Sequence, residues 1–213
     1  IREAERGATA HPDVPRLQAQ PGWVLYYANR YQQAEEAYLA FLNRFDSQHD
    51  SPDVREAVRD ARLVLSNICI QLDRTAQAEE WLEQVLDEFP EDIGALNDLG
   101  YLWAEQGKYL DRALAMIRKA VDGDPDNQAY LDSLGWVLYQ LERYSEAVEP
   151  LEKASAGDDP DAVILDHLGD ASLKTGQTQQ AIATWRRAIQ SLPEDGDKSK
   201  RKKIRQKIKK HEK

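Results

Sequence analysis

The sequence predicts an all-α protein, an α-solenoid of antiparallel helix pairs with a C-terminal capping helix, on three registers that share one period. Leu-Gly recurs at Leu99-Gly100, Leu134-Gly135 and Leu168-Gly169, and the glycines are 35 and then 34 residues apart, the length of one helix-turn-helix unit. Ala78, Ala113, Ala147 and Ala181 each stand four residues before a bulky apolar side chain: Leu82, Ile117, Leu151 and Trp185. Pro90, Pro125, Pro160 and Pro193 follow at spacings of 35, 35 and 33, each closing a unit. Units of this length bury their apolar faces against neighbours and not around one centre.

Taken in order, residues 1–14 carry Gly7 and Pro12 with little periodicity and are expected to be an extended lead-in. The array is expected over 15–195. Its first unit, 15–47, is the most divergent: Pro21-Gly22 is expected to interrupt its first helix, and a break follows near Asn29 and Arg30. The second helix, from about Gln32 to Arg44, puts Ala34, Ala37, Tyr38 and Phe41 on one face. Asp46 to Ser51 is a polar loop, and Ser51-Pro52 suits the N-cap and first turn of a helix of about twenty residues. Regular units are expected over 52–92, 93–127, 128–161 and 162–195. Asp92, Asn127 and Asp161 are placed to cap first helices and Thr178 the last second helix. Gly107 and Gly176 are placed to end first helices in the left-handed conformation. Pro150 is expected near the start of a second helix, where its missing N–H costs little. Residues 196–213 form a basic C-terminal helix or tail.

These residues resemble the tetratricopeptide repeat family, whose pattern is a large residue, x2, Leu-Gly, x2, a large residue, then Ala-x3-aromatic, then Pro. Leu96, Leu99, Gly100, Trp103, Ala113, Ile117, Ala120 and Pro125 fill it in one unit. Leu131, Leu134, Gly135, Leu138, Ala147, Leu151, Ala154 and Pro160 fill the next, and Leu165, Leu168, Gly169, Ser172, Ala181, Trp185, Ala188 and Pro193 a third. Upstream, Leu65, Ser66, Cys69, Ala78, Leu82, Val85 and Pro90 match with serine in the place of glycine. The resemblance implies a right-handed superhelix with a concave groove for ligands. Asp132-Ser133-Leu134-Gly135-Trp136 and Asp166-His167-Leu168-Gly169-Asp170 also look like a bacterial subset of repeat scaffolds and adaptors, several located in the cell envelope. That likeness leaves a cytoplasmic and an envelope location both open.

The 213 residues, 41% of them hydrophobic, supply a continuous core. No run is apolar and long enough to span a membrane. The chain opens at Ile1 without Met or an apolar leader, as a processed product or an excised piece would. The net charge of −10 is uneven: ten Lys or Arg against Asp197 and Glu212 make residues 197–213 +8, leaving residues 1–196 at −18. An acidic body with a basic tail disfavours nucleic acid as a partner.

Catalytic signatures are absent: no phosphate-cradling glycine loop, nucleophile elbow or HExxH occurs, and an enzyme is not expected. Cys69 falls on an inward stripe as a small core residue. His11, His49, His167 and His211 have no metal-ligand spacing, so neither metal nor cofactor is expected. The five tryptophans, Trp23, Trp81, Trp103, Trp136 and Trp185, fall mostly at core-type positions.

With Leu-Gly at places 7 and 8 of each first helix, places 4, 7, 8 and 11 form the packed stripe. Places 2, 5, 9 and 12 lie more than about 100° around the helix, on the stripe that the resemblance assigns to the groove. Asn67, Asn97, Tyr101, Asp132, Trp136, Tyr139, Asp166 and Asp170 occupy it, beside Leu63, Ile70, Ala104 and Leu173. Asn97, Asp132 and Asp166 share place 5 as a ladder that either holds the amides of an extended peptide, is solvated, or bonds to the neighbouring helix. Tyr101, Trp136 and Tyr139 would be a stacking platform or inter-repeat packing. The family's best-known clamp binds acidic chaperone tails through Lys and Arg on this stripe, and this chain has Asp there.

The expected function is therefore a non-catalytic protein–protein interaction scaffold that takes a basic or apolar protein segment in the groove. The alternative is a structural module that self-associates by stacking terminal repeats or through the tail. Ile204 and Ile208, one turn apart in the tail, either cap the last repeat or dock into a neighbouring molecule's groove.

Overall fold

Small residues facing large ones hold the helix pairs together. The computed structural model describes residues 1–48, 51–157, 159–193 and 198–212, and among these are twelve helices and no strand. They are α1 (Arg2–Ala10), α2 (Pro15–Tyr27), α3 (Tyr31–Phe45), α4 (Pro52–Gln71), α5 (Thr75–Glu88) and α6 (Ile93–Glu105). There follow α7 (Leu110–Gly123), α8 (Gln128–Gln140), α9 (Tyr144–Ala154), α10 (Ala162–Lys174), α11 (Thr178–Ser191) and α12 (Lys198–His211). The chain divides into two compact units, Ile1–Ala95 and Leu96–Lys213. The loop expected at Asp46 to Ser51, and the tail residues Asp197 and Lys213, lie partly or wholly outside the described residues.

In four of the five pairs the first helix lays a place-8 glycine against the bulky residue of the following helix. A Cβ on Gly100 would lie 2.8 Å from Ile117 Cγ1, and one on Gly135 or Gly169 would penetrate Leu151 or Trp185. In the amino-terminal unit the same contact joins Gly22 to Tyr38, 2.9 Å from a Cβ built there. Gly22 is therefore the place-8 glycine of the divergent repeat. The expected interruption at Pro21-Gly22 does not occur, since α2 runs through both; proline forfeits one i−4 bond while glycine secures the crossing.

The turn inside each pair is also common to all five. The N–H groups of Arg30, Arg74, Lys108, Arg143 and Gln177 donate to the carbonyls of Leu25, Cys69, Trp103, Leu138 and Ser172, at 2.8 to 3.0 Å. The preceding residues Asn29, Asp73, Gly107, Glu142 and Gly176 have positive φ. This is the Schellman closure, which satisfies carbonyls that a helix end leaves unpaired. Glycine supplies it in two units and Asn, Asp or Glu in three. The next helix then starts without a side-chain cap, so Thr178 is the first residue of α11 and not its cap. The first-helix caps do form: Asp92 accepts from Ala95, Asn127 from Ala129 and Tyr130, Asp161 from Val163, and Ser51 from Val54.

Two further expectations are corrected. Residues Arg2–Ala10 are helical and not an extended lead-in. Nine residues are too few for a stable isolated helix, but α1 buries Ala4, and Gln18 of α2 donates to the carbonyls of Ala8 and His11 at its end. Pro150 is the seventh of the eleven residues of α9, not near its start, and it is buried. Its ring fills core space there at the loss of one backbone bond.

Ile204 and Ile208 of α12 are 0% and 8% exposed, packed with Leu165, Ile182 and Trp185. Arg201 donates to the carbonyls of Ile189, Leu192 and Pro193, capping the end of α11. The tail thus covers its own last repeat.

Gly135→Ala should destabilise the fold by about 1–3 kcal/mol, because overpacking the crossing outweighs the roughly 1 kcal/mol helix-propensity gain. Gly7→Ala, where a Cβ meets only Gln20 at 4.0 Å, should stabilise. Thermal melts of both variants decide this, and an unchanged or raised melting temperature for the first would refute the crossing. Truncation before Lys198 uncovers Trp185 and Ile182 and should lower the melting temperature, with increased binding of a hydrophobic dye.

Candidate functional site

On α6 of the carboxyl-terminal unit, Asn97 is 4% exposed, far from the solvated ladder that composition alone permits. Its Nδ2 donates to Asp98 Oδ1 at 3.1 Å, and its Oδ1 is buried without a hydrogen-bond partner. Asn97, Asp98, Tyr101, Asp132 and Asp161 line a cleft of about 380 Å³ with Gln128 and Ser133. Burial pushes the Tyr101 hydroxyl well above its ordinary pKa, helped by the charges of Glu105, Asp132 and Asp161. The phenol is therefore a neutral donor with an aromatic face.

Asp132, 7% exposed on α8, makes the bond to the neighbouring repeat that was one of its open alternatives. Its Oδ1 lies 2.9 Å from Nδ1 of His167, itself 6% exposed on α10. A carboxylate only accepts, so Nδ1–H donates and the imidazole is held in one orientation. Trp136 stacks on that ring at 4.0 Å and on Tyr139 at 5.0 Å, with interplanar angles of 14° and 5°. Trp136 Nε1 is buried without a partner. The Tyr139 hydroxyl is pushed up to about 12, first by burial and then by Asp170. Place 9 aromatics here are as much inter-repeat packing as open platform.

Asp166 and Asp170 of α10 are half-buried and engaged. Lys207 of α12 donates from Nζ to Asp166 Oδ1 and to Asp170 Oδ2, both at 2.7 Å. Burial pushes the Asp170 carboxyl up, and Lys207 pulls it back. The docking considered for the tail in a neighbouring groove is thus made within the same chain.

The amino-terminal unit holds Asn67, which is exposed and donates to the Leu63 carbonyl of its own helix. It also holds an exposed aromatic pair. Trp23, one of five tryptophans expected mostly at core-type positions, is 50% exposed and lies 4.5 Å from Tyr27. It borders a cleft of about 420 Å³ with Leu17, Gln20, Tyr38, Asp60 and Val64. Sixteen residues separate Gly135 from Leu151 and Gly22 from Tyr38, so counting back from the Ala34-Tyr38 pair assigns Trp23 to place 9, the place of Trp136. That count was available in the sequence, but Pro21 concealed it.

Cys69 is buried, and burial pushes its thiol up, so it is a poor nucleophile. Among the described residues no group of three or more His, Cys, Asp or Glu is placed to hold a metal. No described helix is long and apolar enough to cross a membrane.

Asp132→Ala strands a buried His167 N–H, so it should cost about 1–3 kcal/mol, or roughly 2–4 °C in melting temperature per kcal/mol for a chain of this size. A double-mutant cycle with His167→Phe should show coupling of about 0.5–3 kcal/mol. Additive losses would mean the pair is not formed.

Models of the tetratricopeptide repeat match residues 22–93 and 97–163, and a second such model matches 165–195. A TPR repeat-containing protein of Pseudomonas aeruginosa is 36% identical over 95 residues, 45% of this chain. The chain spans only 16% of that protein's length. A thermophilic TPR protein from Thermus thermophilus has a similar structure, with TM-score 0.66, 20% identity, and coverage of 91% of this chain and 98% of the other. MamA from Desulfovibrio magneticus follows at TM-score 0.63 and 15% identity, covering 84% of this chain and 95% of its own. YrrB, described as a TPR protein with an unusual peptide-binding site, gives 0.61 and 14%, covering 90% and 93%. At these identities the structures establish likeness of fold alone. The matched repeats cover more than half of the sequence, and the chain belongs to the tetratricopeptide repeat family.

Proposed function

We propose that the chain is a non-catalytic scaffold that binds a basic or apolar segment of a protein partner along the first-helix stripe bearing places 2, 5, 9 and 12. Tetratricopeptide repeats as a family serve protein–protein interaction, and the stripe gives this chain its selectivity. The observation that carries the reading is Lys207: Asp166 and Asp170, at places 5 and 9, already hold an ammonium group at 2.7 Å. That intramolecular ion pair supports the reading that the stripe favours a cationic ligand. An acidic ligand would meet like charge on Asp132, Asp166 and Asp170, whereas the body's −18 attracts a basic one. Trp23 and Tyr27, at 50% and 67% exposure, provide apolar area of the kind that anchors interfaces.

The test is selection of a random peptide library on the intact chain, followed by affinity measurement at two salt concentrations. Enriched peptides should combine Lys or Arg with large apolar residues and should bind more weakly in salt, as the Debye length falls from about 10 Å at 0.1 M to about 3 Å at 1 M. Trp23→Ala should weaken selected peptides that contact the amino-terminal unit by about tenfold, or 1.4 kcal/mol, with an unchanged melting temperature. Trp103→Ala, at 2% exposure, should instead cost about 3–5 kcal/mol of stability. Enrichment of acidic peptides, or of none, would reject the proposal.

A further inference from the structure

In the cleft between α6, α8 and the start of α10, several donors of the lining are already engaged. Ser133 Oγ donates to the Ala129 carbonyl at 2.9 Å, Gln128 Nε2 to the Ala156 carbonyl at 3.0 Å, and Asn97 Nδ2 to Asp98. Beside the Tyr101 hydroxyl, the lining supplies acceptors: the buried Asn97 Oδ1 without a partner, and the carboxylates of Asp132 and Asp161. Asp132 gives one oxygen to His167 and Asp161 one to the N–H of Val163, leaving each a second oxygen. Neither Lys nor Arg is among the lining residues. A buried unpaired acceptor is rare in folded proteins and is costly unless something supplies it with a donor.

We propose that this cleft is the receptor for a guanidinium, an arginine side chain projecting from the bound segment. The inference rests on the scaffold reading and specifies one subsite of it. The volume of about 380 Å³ far exceeds the roughly 30 Å³ share of one water and sits at the lower end of the range for ligand pockets. A planar group with five N–H donors in a fixed fork matches a wall of separated acceptors, as an ammonium point charge does not. The Tyr101 ring supplies an aromatic face for stacking over such a cation. One repeat further along, the place-5 counterpart Asp166 already binds a cation, the Lys207 ammonium. The cleft repeats that chemistry at Asn97 and Asp132, where this chain supplies no basic side chain.

The experiment uses the intact chain, isotopically labelled, titrated by NMR with three end-blocked tripeptides, Ala-Arg-Ala, Ala-Lys-Ala and Ala-norleucine-Ala. Ala-Arg-Ala should shift the Asn97 side-chain amide and the backbone amides of Tyr101, Asp132 and Asp161 saturably. It should bind several-fold tighter than Ala-Lys-Ala, and Ala-norleucine-Ala should leave these signals in place. Asn97→Leu removes the orphaned acceptor, so it should hold or raise the melting temperature while weakening Ala-Arg-Ala by about tenfold. Asp132→Asn, which still accepts from His167, should weaken it comparably and reduce its salt dependence. The inference is overturned if shifts are spread over the acidic surface alike in wild type and Asn97→Leu. Equal shifts from norleucine would overturn it too, since the cleft would then be an apolar pocket. If Ala-Arg-Ala leaves the cleft signals unmoved while library-selected peptides still bind elsewhere on the stripe, this subsite is wrong and the scaffold stands. If selected peptides also fail to bind, the scaffold reading fails with it.

Discussion

Everything in this structure depends on how closely the two helices of a pair cross at place 8. Gly22, Gly100, Gly135 and Gly169 each leave out a Cβ so that Tyr38, Ile117, Leu151 or Trp185 can lie against helix backbone. Glycine inside a helix costs about 1 kcal/mol against alanine, and it is tolerated four times because the large side chain opposite is buried at 0 to 3% exposure. With the crossing fixed, the residue at place 11 is fixed as well, and its carbonyl receives the Schellman bond that turns the chain into the second helix. The stripe at places 2, 5, 9 and 12 is then turned to the side where, in the carboxyl-terminal unit, Asp132 meets His167 of the neighbouring repeat.

Within the carboxyl-terminal unit that stripe divides its labour. Asp132, His167, Trp136 and Tyr139 form a hydrogen-bonded and stacked seam between successive first helices. A buried carboxylate is stable there because the imidazole N–H satisfies it. Asp166 and Asp170 are bridged by Lys207, whose single charge offsets one of the two carboxylates and whose helix is anchored by Ile204 and Ile208 and by Arg201 on carbonyls at the end of α11 and just beyond it. The tail therefore covers the last repeat and pairs with its carboxylates in one element, because its isoleucines and Lys207 point the same way on one helix face.

In the amino-terminal unit a different device ties repeats together. Arg62, 8% exposed, bonds Asp46 at 2.6 Å and Glu88 at 3.2 Å, while Arg55 bonds Glu88 at 2.7 Å. A nearly buried guanidinium is stable only with such paired carboxylates, and these link the end of α3 to the end of α5 through α4. The fork geometry of arginine reaches both at once.

The sequence by itself determined the helix pairs, because glycine at a close crossing, alanine beside it and an oxygen side chain before a helix each have a local cause. Repetition of those causes at one period left little choice of fold. It also located the stripe that carries Asn97, Asp132, Asp166 and their neighbours, since a helix converts spacing into direction. Only the tertiary structure decided what those side chains do. Asp132 and His167 are 35 residues apart, Lys207 is 37 and 41 residues from its carboxylates, and no local rule connects them. The helix α1 belongs with these, since it is held by Gln18 and by packing on α2 and not by its own propensity. Trp23 lies between the two cases: its place follows from a sixteen-residue count, but its exposure is set by what packs beside α2, which the spacing of residues does not contain.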